Sequence, residues 1–260
     1  MEKRIANPSW PVTVYVTRGN SNSEHFGAAF ARGSGGRMFA ANKFLNGDGA
    51  GLVLPDIFKV FTETKAAGRN FFYGDKAYFG RGKYFRITKN AEQHDCSGAA
   101  TPNRFEATGF KINPWKTIRN DFILLCPQSD LFFRLRGMNP KAWVQDTIVE
   151  LRKYTDRKII VHYKAGGVRA EDHFQPMLRT AYAVVVYSSM AGAQACLSGV
   201  PCFALDKNCA SAKFGLTDLS KINSPFKPDN REQLAWNLAD NQWTLDEMKK
   251  GIAWERLCHQ

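Results

Sequence analysis

Short runs of consecutive apolar residues alternate along the chain with longer stretches in which apolar residues recur at helical spacing. The run 183–187 (AVVVY) is apolar throughout, as expected of a strand that is buried on both faces. Strands of this kind separated by helices predict an α/β protein with parallel sheets. The predicted strands are 12–16, 51–54, 70–73, 84–88, 121–126, 158–162, 183–187 and 201–205. The predicted helices are 24–31, 57–67, 141–154, 174–179, 190–198, 231–241 and 245–255.

The order of these elements predicts two Rossmann-like lobes with a cleft between them. The stretch 84–88 alternates apolar and polar residues like an antiparallel strand, and the glycines of 32–37 predict a turn. We expect residues 1–118 to form the first lobe, residues 119–230 the second, and residues 231–260 to form helices that pack back across both. In such sheets the ligand binds beyond the carboxyl ends of the strands, where helix N-termini point.

The positive charge is concentrated in the first half of the chain. Lys and Arg (36) outnumber Asp and Glu (24), which gives a net charge of +12. Residues 1–120 hold 18 basic and 9 acidic side chains, and residues 121–260 hold 18 and 15. Within 65–119 aromatic residues stand between the cations, a combination that suits phosphates and unstacked bases. We therefore expect a polyanionic acceptor on the first lobe, bound by Lys76, Tyr78, Arg81, Lys83, Arg86 and Lys89.

Two other interpretations of this basic segment stay open. It can be a solvated basic face over an aromatic core, or it can bind an anionic membrane surface or an anionic glycan. A hydrophobic fraction of 44% excludes a disordered chain, and no apolar run approaches the ~20 residues that span a bilayer. Since the N-terminal segment has no leader-like apolar stretch either, we expect a cytoplasmic monomer that does not insert into membranes.

The six cysteines form no Cys-x-x-Cys pair. Several of them lie in apolar strand or helix contexts, which favours free buried thiols over disulfides. His94, Asp95 and Cys96 are adjacent, but a structural metal site needs a second pair of ligands. The sequence therefore predicts no metal site.

The segment 187–203 has the most informative pattern in the chain. Ser188 and Ser189 follow a buried strand, small residues occupy the first helical turn, and Gly199-Val200-Pro201 leads into the next strand. This arrangement allows a phosphate to approach free backbone N–H groups at a helix N-terminus. The alternative is that the small residues only let the helix pack tightly on the sheet.

This segment resembles the nucleotide-sugar site of GT-B glycosyltransferases, including the capsule-type sugar transferases. In that family the strand ends in hydroxyl or amide residues, followed by a glycine, a Glu-Ala pair and a Gly-x-Pro. Here Gln194 stands where the family commonly has the acid. His162 replaces an arginine of the family pattern, Lys164 is retained, and 127–129 match the turn between the lobes. The resemblance implies donor-binding roles for Gln128, Ser129, His162, Lys164, Ser188, Ser189, Gly192 and Gln194.

The resemblance covers residues 121–260, and the segment 234–254 is similar to the end of small phage-encoded DNA-modifying sugar transferases. It implies a nucleoside diphosphate sugar as donor, with a UDP-sugar first in order, and no required cofactor. An inverting transferase needs a base that deprotonates the acceptor hydroxyl. Asp75, after a predicted strand, and His25, after the first strand, are the two candidates for this base.

Together these features predict a phage-type glycosyltransferase that moves a sugar to a hydroxymethylated pyrimidine in double-stranded DNA, in the host cytoplasm. Reaching such a hydroxyl requires a base to leave the stack, which nearby aromatic side chains can support. Two alternatives stay open. One keeps the chemistry but uses an anionic glycan or lipid acceptor, and the other is a non-catalytic nucleic-acid-binding protein with a transferase-like fold.

Overall fold

The computed structural model describes residues 12–44, 48–52, 54, 56–117, 122–163 and 170–259, without the side chains of 135 and 170–173. The strands are β1 (Thr13–Val16), β2 (Arg37–Ala40), β3 (Gly49–Leu52), β4 (Phe71–Lys76), β5 (Tyr84–Lys89), β6 (Phe122–Cys126), β7 (Lys158–Val161), β8 (Ala183–Val186), β9 (Cys202–Ala204) and β10 (Gln242–Thr244). The helices are α1 (Ser21–Ser34), α2 (Phe58–Ala66), α3 (Asn103–Glu106), α4 (Asp130–Leu135), α5 (Pro140–Arg152), α6 (Ala170–Thr180), α7 (Met190–Leu197), α8 (Glu232–Asp240), α9 (Leu245–Lys249) and α10 (Ile252–Cys258).

The chain divides into two compact units. The first unit combines residues 1–92 with 241–260, and the second contains residues 93–240. The sequence pattern predicts a division at 118, whereas in the structure the segment from 93 onward packs within the second unit. The C-terminal residues from 241 onward return to the first unit, where β10 pairs with β5. Pairing over so long a sequence separation leaves no local signal in the sequence.

The first unit contains a mixed sheet in the order β10-β5-β4-β3-β1-β2. Strands β2, β1, β3 and β4 are parallel, and β5 runs antiparallel to β4, which confirms the alternation pattern of 84–88. Helix α1 packs on this sheet and buries Phe26 and Phe30. The core around them is formed by Val12, Val14, Ala29, Ala50, Phe72, Ile87, Trp243, Met248 and Leu257.

The predicted turn over 32–37 is only partly correct. Helix α1 continues through Gly33 to Ser34, and Gly35 ends it in the left-handed region with φ 67°. A Cβ on Gly33 would clash with the backbone carbonyl of Met248 in α9. Glycine is therefore needed inside α1 because α9 approaches it backbone to backbone.

The second unit contains a fully parallel sheet in the order β7-β6-β8-β9. All its strands were predicted from their apolar runs, and the α/β class with two Rossmann-like sheets is confirmed. Helix α5 begins as predicted, with Pro140 in its first turn and Asn139 as its cap. The core of this unit contains Ile123, Leu125, Phe133, Trp143, Val144, Leu151, Val185, Phe203 and Ile222.

Within the described chain, every helix is either too short or too polar to span a bilayer.

Candidate functional site

The strand order of the second unit determines where a ligand can bind. The chain passes from β6 to β7 on one side and then crosses back to β8 on the other side of β6. In doubly wound sheets the loops after the first and third strands diverge at this switch point, and the crevice that they leave binds the ligand. The expected crevice therefore lies at the carboxyl ends of β6 and β8.

Two amide side chains hold Ser188 at this crevice. The Ser188 backbone N–H donates to Gln128 Oε1 at 3.1 Å, which joins the loop after β8 to the loop after β6. The Gln93 side-chain amide Nε2 donates to the Ser188 carbonyl, also at 3.1 Å. The backbone of Ser188 is thus fixed on both sides by residues from two other segments.

The side chain of Ser188 is buried, with 1% of its surface exposed, yet its hydroxyl has no hydrogen-bond partner among the described residues. The same is true of the Gln93 carbonyl oxygen Oε1, in a side chain that is 6% exposed. Leaving a buried polar group unpaired costs about 1–3 kcal/mol, so such groups usually have a partner. Two unpaired groups beside one serine at a switch point indicate a polar site that a ligand or water completes.

Ser189 and Gly192 have structural roles on α7. Ser189 is the N-cap of this helix, and its Oγ accepts from the Ala191 N–H at 3.3 Å. Gly192 is buried, and a Cβ there would clash with Ser211 Oγ and Cys202 Sγ. A glycine is therefore needed at this position for packing, and the donor-binding role of Gly192 stays a prediction. Gln194 lies half-buried two residues further along α7.

Ser129 and His162, two further predicted donor residues, lie at the same edge of the sheet. Ser129 is exposed and precedes α4, directly after Gln128. The His162 N–H donates to the Leu125 carbonyl at 2.8 Å, and its ring lies 5.5 Å from that of Phe174. Lys164 lies outside the described residues. The structure thus brings Gln128 and Ser188 into contact and places Ser129, Ser189 and His162 on neighbouring loops.

Sequence reasoning missed three residues at this edge. Arg136 forms an ion pair with Asp206 at 3.9 Å, and its guanidinium lies 5.7 Å from the Tyr187 ring centroid at the end of β8. Asp206 directly follows a predicted strand, so its position was detectable from the sequence. Arg136 follows α4, which was not predicted, and Gln93 lies in a loop without periodicity. Neither of these two carried a signal.

In the first unit, Asp75 lies near the carboxyl end of β4, opposite Arg86 on β5. The Arg86 Nη2–Asp75 Oδ2 distance is 2.7 Å, and Asp75 Oδ1 accepts from the Lys76 N–H, also at 2.7 Å. The Arg86 guanidinium lies 5.6 Å and 5.2 Å from the ring centroids of Tyr73 and Tyr78. Burial alone would lower the pKa of Arg86, but Tyr78 and Asp75 outweigh it and raise that pKa, so Arg86 stays charged.

This arrangement corrects part of the predicted acceptor surface. Arg86 and Tyr78 are buried in the core of the first unit, and Gln242 Oε1 accepts from the Tyr78 N–H at 3.0 Å. Lys89 is half-buried and donates to the Leu257 carbonyl at 3.1 Å. The aromatic residues that were expected to stack on bases are core residues as well: Phe71, Phe72, Tyr73 and Phe79.

Three of the predicted cations lie on the surface. Lys76, Arg81 and Lys83 are exposed, and the Lys83 ammonium lies 5.0 Å from the Tyr84 ring centroid. Partial burial lowers the pKa of Arg81, and the neighbouring Arg86 adds to this, while Asp75 opposes it. These side chains keep a positive potential on the surface without the stacking platform that the sequence suggested.

His25 is exposed on the second turn of α1. Helix α1 follows β1 and begins after its cap Asn20, whose side chain accepts from the Ser23 N–H at 3.1 Å. Since β1 and β4 both belong to the parallel part of this sheet, His25 and Asp75 lie towards the same edge. Both candidate bases are therefore at the edge where a parallel sheet binds its ligand.

Burial makes most of the thiols unreactive. It raises the pKa of Cys96 to about 12 and that of Cys209 to about 11. Among the described residues, His, Cys, Asp and Glu side chains form no group of three that could hold a metal ion.

Comparison with models of protein families finds no match, and neither does comparison with curated protein sequences. Among solved structures, the chain is similar to Thermosulfurimonas dismutans KpsC, beta Kdo 2,4 transferase, with a TM-score of 0.53 and 12% identity over 91% of this chain and 92% of that one. It is also similar to the KpsC beta Kdo 2,7 transferase of the same organism, with a TM-score of 0.46 and 11% identity over 94% and 99%. The first likeness confirms a glycosyltransferase-like fold; the phage resemblance stays a prediction.

Proposed function

We propose that this chain is a glycosyltransferase that takes a sugar from a nucleotide-activated donor bound in the crevice at the carboxyl ends of β6 and β8. One observation supports this most strongly. Ser188 is clamped at the switch point by Gln128 and Gln93, while its buried hydroxyl lacks a partner among the described residues. In a glycosyltransferase-like fold, this is where a donor would supply the missing hydrogen bonds.

The chemistry of the site suits a nucleotide sugar. The Ser188 hydroxyl can donate or accept, and the Gln93 carbonyl oxygen can accept from a ribose or base donor. The positive end of the α7 dipole favours phosphate oxygens at the same edge, and the predicted role of Lys164 adds a cation. We therefore propose a nucleoside diphosphate sugar as the donor, and a UDP-sugar is the first candidate.

The reaction requires a base on the acceptor side. As the acceptor oxygen bonds to the anomeric carbon, the bond from that carbon to the donor phosphate breaks, and the acceptor proton passes to the base. We propose His25 as this base in preference to Asp75. Both carboxylate oxygens of Asp75 already accept hydrogen bonds, whereas the imidazole of His25 is exposed. Asp75 then has a structural role as the counter-charge of Arg86.

We expect an anionic glycan as acceptor. The aromatic side chains that would stack on DNA bases are buried, while Lys76, Arg81 and Lys83 remain exposed. A hydroxymethylated pyrimidine in double-stranded DNA is the second candidate, supported by the net charge of +12. A lipid-linked glycan would present the same anionic chemistry.

A transfer assay with mass-spectrometric detection tests the proposal. The protein is incubated with nucleotide sugars and either an anionic oligosaccharide or hydroxymethylated duplex DNA. We expect the oligosaccharide to gain the mass of one sugar, and His25→Gln to reduce the rate by at least about 100-fold with donor binding unchanged. Transfer of sugar to the DNA alone would favour the second candidate acceptor. If the protein shows no sugar transfer and no donor hydrolysis, the proposal that it is a transferase is contradicted.

A further inference from the structure

A cavity lies in the second unit, at the edge of the sheet opposite to the crevice beside Ser188. It has a volume of about 400 Å³ and is lined by the segment 113–116, the last turns of α6 and the end of α7. Helix α6 runs into the amino end of β8, and α7 ends before the amino end of β9. The cavity is therefore at the amino ends of the strands, away from the donor crevice at their carboxyl ends.

The wall formed by 113–116 is held firmly in place. The Asn113 N–H donates to the Leu197 carbonyl at 2.9 Å, and the Lys116 N–H donates to the Gly199 carbonyl at 3.0 Å. The Arg231 guanidinium, 4.2 Å from the Trp115 ring centroid, donates to the carbonyls of Cys196 and Asn113. This wall of the cavity is thus ordered by contacts within the second unit.

The cavity brings positive charges together. Lys116 and Arg179 both line it, and none of its described lining residues is acidic. Burial first, and then the charge of Arg179, lowers the pKa of Lys116. The Lys227 ammonium donates to the Lys116 carbonyl at 3.2 Å, so a third cation lies beside this wall. An anion in the cavity would relieve this repulsion.

Three further polar residues line the cavity, and Pro114 and Leu178 add apolar surface. The polar residues are Asn113, Gln175 and Ser198. A volume of about 400 Å³ exceeds what a lone phosphate fills and falls in the usual range for small-molecule sites. Amides and hydroxyls beside two cations suit a molecule with several hydroxyl groups and one anionic group.

We infer that this cavity binds an anionic sugar residue, a sugar phosphate or a sugar acid, as a carbohydrate subsite separate from the donor crevice. The choice of a carbohydrate rests on the proposed function, whereas the choice of an anion rests on the lining alone. In a transferase that acts on an anionic glycan, such a subsite would hold a residue of the polymer away from the reacting end.

Calorimetric titration of the full chain tests this inference. The probes are glucose 6-phosphate and glucuronate, with inorganic phosphate, glucose and a short DNA duplex for comparison. We expect one of the two anionic sugars to bind more tightly than phosphate or glucose, with an affinity that falls as salt rises. Equal binding of phosphate, or binding of DNA alone, would overturn the carbohydrate assignment.

Two variants locate the binding. Arg179→Gln, at an exposed position where folding should be unaffected, is expected to weaken the anionic sugar about tenfold. Arg134→Gln removes another exposed arginine, from α4 of the same unit, and should leave the affinity unchanged. Equal affinities in wild type and Arg179→Gln would overturn the site. If nucleotide sugars fail to bind but this titration succeeds, the proposed function fails and the anion site stands.

Discussion

Arg86 places a permanent positive charge inside the first unit, and its neighbours explain how the fold tolerates that charge. Asp75 supplies the opposite charge, the Glu92 carbonyl accepts from Nη1 at 2.8 Å, and two tyrosine rings flank the guanidinium. A buried ion pair contributes little net stability, but removing one member leaves the other charge unpaired. Asp75 therefore matters to the fold whether or not it takes part in catalysis.

Asp75→Ala should lower the free energy of unfolding by about 2 kcal/mol, because it leaves the buried Arg86 without its counter-charge. Glu63→Ala is the matched control, since Glu63 pairs with Lys59 on the exposed face of α2 at 3.5 Å. We expect that control to change stability by less than about 0.5 kcal/mol. Urea unfolding measures both, and equal losses would contradict the structural role of the Asp75–Arg86 pair.

Buried Cys209 makes stability depend on alkaline pH. The pKa of Cys209 is about 11 in the folded protein, above the ordinary thiol value of about 8.5. The neutral thiol therefore makes its full contribution to the free energy of unfolding below about pH 8.5, and this contribution is lost as the pH rises towards 11. Cys209→Ala should therefore lose about 2 kcal/mol less than wild type between pH 7.5 and pH 10. Cys258→Ala, at an exposed thiol, should follow wild type more closely. Parallel pH profiles of the unfolding free energy for wild type and Cys209→Ala would refute this account.

At the scale of elements, the sequence predicted the parts that have strong local patterns. The strands of the second unit are continuous apolar runs, and α5 carries both its cap and its proline. Strand β10 is three residues long and exists because it pairs with β5, which a local pattern cannot reveal. The helix predicted over 245–255 is interrupted at Gly251, whose φ of 83° separates α9 from α10.

Gly33 shows how tertiary contact overrides local preference. Its glycine-rich surroundings predict a turn, yet α1 passes through it because α9 packs against that position. Gly33→Ala should lower the free energy of unfolding by about 3 kcal/mol, and the melting temperature should fall with it. The reason is that the new methyl group clashes with the backbone carbonyl of Met248, which cannot rotate away as a side chain can. Gly98→Ala meets nothing nearer than Asn237 Oδ1 at 3.7 Å and should be close to neutral. A Gly33→Ala variant as stable as wild type would mean that α1 and α9 are not packed this closely.

At the scale of the whole molecule, the charge asymmetry located a basic first half but did not identify its ligand. The sequence could not show that Arg86 and Tyr78 are buried. A segment that mixes basic and aromatic residues has the same sequence pattern whether its side chains lie in the core or on the surface. Gln128 and Ser188 follow clear predicted strands, and the structure joins them by a hydrogen bond. Their donor-binding role stays a prediction. Gln93, which completes the clamp, comes from a loop and depends on the tertiary fold.

Thermal unfolding in the presence of nucleotide sugars shows whether the crevice beside Ser188 binds such a donor. At a donor concentration near 100 Kd, the wild-type melting temperature should rise by about 5 °C. Ser188→Ala should melt near the wild-type temperature without donor, because its hydroxyl has no partner in the described residues, but should respond much less to the donor. No shift with any nucleotide sugar, or equal shifts in both proteins, would contradict the account.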